Sequence, residues 1–172
     1  KKIVERMLEK NGIYEGKVIH VKGQLTDHYK PMNKTVNLSD SVYSGISIAA
    51  TAVAAHECGH AVQHAQAYSA LTLRSKLVPV QNISSKVLNF AMMVLMFGSY
   101  FMQGLIPIDI IIYVMIAGNL GLTLFAMVTL PVEFDASKRA LAWIQNNGIV
   151  GHDEYDGAKD ALQWAALTYV VA

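Results

Sequence analysis

The chain has 172 residues, enough for one compact domain with satellites, and its formal net charge of +1 gives a nucleic-acid role no electrostatic support. At 53% hydrophobic and 16% charged residues it is more apolar than an average soluble domain. Its single cysteine, Cys58, excludes an internal disulfide and a multi-cysteine zinc site.

The chain opens on Lys1 and closes on an apolar run over 165–172, so both ends read as cut, with room for a signal peptide or further membrane anchors beyond them. Ile3, Val4, Met7 and Leu8 follow a helical stripe that Asn11-Gly12 can stop. Short β-type pieces come next, over 17–21, 24–29 and 34–38, separated by Gly23 and a Pro31-Met32-Asn33 turn. They predict a small sheet of two or three strands. The last piece precedes a long helix over 41–67, capped by Ser39 or Asp40, and is either a plain structural strand or an edge that accepts a peptide.

Within that helix stands Ala55-His56-Glu57-Cys58-Gly59-His60-Ala61, an H-E-x-x-H pattern. Residues four apart on a helix share one face, about 6 Å apart along the axis, so His56 and His60 can share one metal ion. Zinc takes neutral imidazole nitrogen at roughly 2.0–2.1 Å, and a catalytic site has three protein ligands and one open position. Glu57 follows the first histidine directly and can take a proton from water at that position. The pattern fixes only three residues, and its bland alternative is a chance match on an ordinary helix. The small, helix-compatible flanks favour the site. Helical phase turns Cys58 away from the ligand face, as a small core residue.

Two uncharged stretches, 87–108 and 110–132, are each long enough to cross a bilayer and predict a transmembrane helical hairpin turning near 104–109. That turn holds no lysine or arginine, while Lys86, Lys138 and Arg139 flank the other ends, which places the site on the cytoplasmic side. The hairpin returns the chain at Glu133, the best candidate for a third ligand. The competitor, His64, lies about 12 Å along a straight helix from His56, too far to complete one zinc shell; it fits better beside the ligands or on the cleft wall. Asp135 either orients a ligand histidine or serves as a helix-start carboxylate. His28 and Tyr29 are candidates for stabilising an oxyanion, against the plainer reading of His28 as a turn residue bonded to backbone. A last helix from Tyr155 carries Leu162, Trp164 and Leu167 on its apolar face, and His20 shows no partner in the sequence.

Several stretches together resemble the YugP-type family of neutral zinc metallopeptidases. They are Leu25-Thr26-Asp27-His28-Tyr29, Ser47-Ile48-Ala49-Ala50, the run 54–64, Leu73-Arg74-Ser75, the run 130–137 and Ala165-Ala166-Leu167-Thr168-Tyr169. The resemblance covers nearly the whole chain and implies a membrane-bound prokaryotic protein with an anchor before Lys1 and another span after Ala172. It carries the zinc-ligand pair onto His56 and His60 and the catalytic glutamate onto Glu57. The segment at Glu133 is also similar to the Glu-x-x-Ala-Asp ligand motif of HtpX-like and prenyl-protein (CAAX) membrane proteases. That likeness makes Glu133 a ligand, with Ser137 where those proteases carry aspartate.

The expected architecture is therefore a mainly α membrane protein with a zincin-like H-E-x-x-H helix, a small β element and a transmembrane hairpin. Residues 1–86 form its N-terminal part, 87–132 the hairpin and 133–172 the third-ligand segment, integrated as one catalytic domain. The expected function is a Zn2+ metalloendopeptidase in a prokaryotic cell membrane, acting on a protein or peptide. Its partners would be the lipid bilayer and a membrane protein or second copy, with no nucleic acid. The alternative is a non-proteolytic membrane scaffold that retains a structural zinc.

Overall fold

A computed structural model describes residues 1–101 and 107–171, so residues 104–106 of the turn expected near 104–109 lie outside the described residues. By its internal packing the chain divides into two units, one formed by Lys1–Leu71 with Leu130–Ala172, the other by Thr72–Thr129.

In the first unit, helix α1 (Lys2–Lys10) buries Val4, Met7 and Leu8. The Asn11 amide bonds the Met7 carbonyl at 2.7 Å, and Gly12 takes φ +72°, a left-handed conformation that glycine adopts at little cost. Strands β1 (Lys17–Val21), β2 (His28–Lys30) and β3 (Thr35–Ser39) form a sheet of order β1-β3-β2. β3 runs parallel to β1, with Lys17 opposite Thr35, and antiparallel to β2, with His28 opposite Asn37. All five residues of β3 are buried.

Two expectations about the sheet are corrected. The strand expected over 24–29 begins only at His28, because Gly23 and Leu25 take positive φ of 112° and 56°. Asp27 then anchors this loop: its carboxylate accepts the backbone N–H and the hydroxyl of Ser39, each at 2.8 Å. Nor can β3 receive a peptide by edge pairing, since it is the central strand with a neighbour on each side.

The single helix expected over 41–67 is two. α2 (Asp40–Tyr43) ends before Gly45, and α3 (Ile48–Ala65) starts afresh at Ser47, whose hydroxyl accepts the Ala50 N–H at 3.1 Å. A Cβ on Gly45 would sit 2.1 Å from the Ser41 carbonyl oxygen, so the tight junction requires glycine. Ile46, expected inside the helix, stands at the junction 99% exposed. α3 is buried over most of its length, and Ala52, Ala55 and Cys58 pack into one core with Val36 and Leu38 of β3 and Met7 and Leu8 of α1.

Two further helices supply the rest of that core. α5 (Ile108–Asn146) contributes Ala140 and Ile144 from its residues in the first unit. α6 (His152–Val171) contributes Ala158 and Leu162. The buried stripe of α6 is Ala158, Leu162 and Ala166, whereas Trp164 is 72% exposed and Leu167 is exposed too, which corrects the apolar face expected there.

The second unit consists of parts of α4 (Ser69–Phe101) and α5. α4 starts well before the uncharged run, because a helix persists through Arg74, Lys76 and Lys86 as readily as through apolar residues. Both helices are long and apolar enough to cross a membrane. Within the unit they approach closely: a Cβ on Gly118 would lie 2.8 Å from Leu88, and one on Gly121 would lie 2.2 Å from the Ser84 hydroxyl. Phe90, Met96, Ile110, Tyr113, Leu120 and Met127 remain exposed on this unit.

Candidate metal centre

α3 and α5 meet at Gly59. A Cβ there would stand 2.6 Å from the Ala136 carbonyl oxygen, so the absent side chain is what lets the two backbones touch. Residues flanking this contact on each helix must face the other. On α3 these are His56 and His60, three before and one after the glycine. On α5 they are Glu133 and Ser137, one helical turn apart around Ala136.

The geometry follows from that crossing. The His56 Nε2 lies 3.1 Å and the His60 Nε2 3.5 Å from the same Glu133 Oε2. The two imidazoles stand edge to face with ring centroids 4.7 Å apart. All three side chains are buried, and their candidate ligand atoms lie within 4.8 Å of one another. Ligands at 2.0–2.1 Å around a tetrahedral zinc are separated by about 3.3–3.5 Å, so the two nitrogen–oxygen separations suit a shared ion. Glu57, buried at 9% exposure, follows His56 on the same helix.

The far side of each imidazole is also held. His56 Nδ1 is 3.1 Å from the Ser137 hydroxyl, and His60 Nδ1 is 2.9 Å from the side-chain oxygen of Gln63. These bonds turn both Nε2 atoms toward Glu133. Burial by itself would lower the pKa of His60, but the Glu133 hydrogen bond, the charges of Glu57 and Glu133 and the Gln63 bond together raise it. The surroundings of His60 thus favour a positive charge.

The other candidates take different places. Asp135 touches neither histidine in the described hydrogen bonds; its carboxylate accepts from Gln63 at 2.8 Å and from Arg139. The His28 ring bonds the Thr26 carbonyl at 2.8 Å, and the Tyr29 hydroxyl lies 2.9 Å from His64 Nδ1. Tyr29 and His64 line a cavity of about 560 Å³ with Tyr14, Lys34 and Ala61. His20, without a partner in the sequence, bonds Asp40 and packs against the Tyr43 ring. Cys58 is fully buried, and burial pushes its thiol pKa up to about 12.

Sequence reasoning missed Gln63. It is a fully buried polar side chain one turn beyond His60, and only that i+3 spacing could have drawn attention to it.

A mainly helical chain with a buried His-His-Glu cluster and two long apolar helices has the ingredients of a membrane-associated metalloprotein. Residues 1–172 match the family described as "Putative neutral zinc metallopeptidase", and the chain belongs to that family. It is 43% identical to the "Putative membrane protease YugP" of Bacillus subtilis (strain 168) over 168 residues, which cover 97% of this chain and 71% of the relative. No solved structure matches it. Zinc is accordingly the metal, and His56, His60 and Glu133 form a group that could hold it.

Proposed function

We propose that this chain is a membrane-embedded zinc metalloendopeptidase of zincin type, in which His56, His60 and Glu133 hold the metal and Glu57 is the general base. The observation that carries this reading is the convergence of three candidate ligand atoms within 4.8 Å of one another, with Glu57 next to His56 in the chain. Among the described residues that group has three members, the count of a catalytic zinc, whereas a structural zinc takes four. This favours an enzyme over a scaffold.

Zinc, when bound, supplies Lewis acidity, polarising a peptide carbonyl and lowering the pKa of water toward about 7. The chain's own residues do the rest. Ser137 and Gln63 fix the imidazoles with Nε2 inward. Glu57 takes one proton from the attacking water and delivers it to the leaving amine nitrogen as the C–N bond breaks, so no covalent enzyme intermediate is required. The burial of His56, Glu57, His60 and Glu133 limits competing bulk water.

The apolar helices support placement in a bilayer, since their exposed faces need lipid or protein cover. Lys86, Lys138 and Arg139 support a cytoplasmic site by the positive-inside rule. The substrate is then a protein or peptide reaching the membrane surface. The test is hydrolysis of a quenched-peptide library by detergent-purified protein. Wild type cleaves; Glu57→Gln retains zinc and loses at least about a hundredfold in rate. Full activity in Glu57→Gln would refute the mechanism.

A further inference from the structure

Gln63 has no exposed surface, and every polar group of its amide is engaged. Its nitrogen donates to the Val132 carbonyl and to Asp135 Oδ2, each at 2.8 Å, and its oxygen lies 2.9 Å from His60 Nδ1. The first two partners can only accept. Reversing the amide would set its oxygen against both of them, so the orientation is fixed by the surroundings. An oxygen facing His60 Nδ1 requires a proton on that nitrogen, which leaves the Nε2 lone pair for a metal. Asp135 is held in turn by Arg139, whose Nη1 donates to Gln66 on the α3 side.

We infer that Gln63 is a positioning residue for zinc, an amide relay through which Asp135 sets the tautomer and orientation of His60 while the Val132 carbonyl keys α3 to the turn of α5 that presents Glu133. This rests on the proposed ligand set. It gives Asp135 an orienting role at one remove, acting through Gln63. The two ligand histidines are thereby supported differently: a hydroxyl, which can donate or accept, stands behind His56, and an amide locked in one orientation stands behind His60.

The test is zinc affinity, measured on the full chain in detergent by competition with a chromogenic chelator, alongside the absorption spectrum of the cobalt(II)-substituted protein. Gln63→Met keeps the volume and loses all three bonds; it lowers zinc affinity about 10- to 100-fold and shifts the cobalt bands. Gln63→Glu places a second carboxylate against Asp135 and also binds zinc poorly. Asp135→Ala, which touches neither histidine, removes the acceptor that holds the amide and lowers zinc affinity about tenfold, whereas Asp135→Asn, whose side-chain oxygen can still accept from both Gln63 and Arg139, recovers it. A residue that merely packed would show no such rescue.

Wild-type affinity in Gln63→Met, or an Asp135→Asn no better than Asp135→Ala, overturns the inference. Should Gln63→Met fail to fold, the comparison of Asp135→Asn with Asp135→Ala decides. His60→Ala separates the two levels of argument. If it keeps wild-type zinc affinity, the ligand set itself is wrong. If it loses zinc while Gln63→Met does not, only the relay is wrong.

Discussion

The Ser137 hydroxyl lies 3.1 Å from His56 Nδ1. A hydroxyl is a weaker partner for an imidazole N–H than a carboxylate, yet its removal leaves that nitrogen unpaired in a buried site. Ser137→Ala should lower zinc affinity about tenfold, read by chelator competition; unchanged affinity would show that His56 needs no such support. Cys58 sits between Glu57 and Gly59 but is fully buried, with its thiol pKa pushed up to about 12. It should resist alkylation by iodoacetamide at neutral pH in the folded protein and react promptly in guanidinium. Rapid labelling of the native state would place it on an open face.

At the scale of elements, much of the site helix was legible because its determinants are local. The i, i+4 histidine spacing and the small flanking residues survive any tertiary context. The break at Gly45 was not legible, because it shows only in the close approach of Gly45 to the Ser41 carbonyl, where a Cβ would have no room, and an isolated glycine in a helical pattern does not announce that contact. Strand content over 24–27 was overestimated for a similar reason: the side chain of Asp27 finds its partner at Ser39, twelve residues away. Glu133 could be nominated from chain order and resemblance, but Gln63 could not, since its three partners lie on α3 itself and on α5.

The contact between α3 and α5 also makes a prediction. Gly59→Ala would bring a methyl within 2.6 Å of the Ala136 oxygen, and backbone cannot retreat as a flexible side chain can. It should destabilise the protein by about 1–3 kcal/mol and weaken zinc binding with it, as read by thermal unfolding with and without zinc. Full tolerance would mean that the helices do not cross there. Ser47→Ala, which removes only the α3 cap, should cost about 1 kcal/mol and leave zinc affinity unchanged.

Over the whole molecule, two kinds of surface demand two solvents. The first unit buries its apolar residues around α3, while the second displays Phe90, Met96, Leu120 and Met127 outward. The exposed apolar faces of α4 and α5 within this unit are explained if lipid covers them. The protein should therefore remain with membranes through an alkaline carbonate wash and require detergent for release; recovery in the wash supernatant would contradict a spanning hairpin. The two long apolar helices were legible in the sequence, because a charge-free run of about 20 residues is a whole-segment property that no single contact can mask.

The most direct test of the account is the zinc content of detergent-purified protein, comparing wild type with Glu133→Ala by elemental analysis. The account predicts one zinc per chain in wild type and loss of most of it in the variant, because a carboxylate on α5 and two imidazoles on α3 have to share the ion. A full zinc complement in Glu133→Ala, or none in freshly prepared wild type, would contradict it.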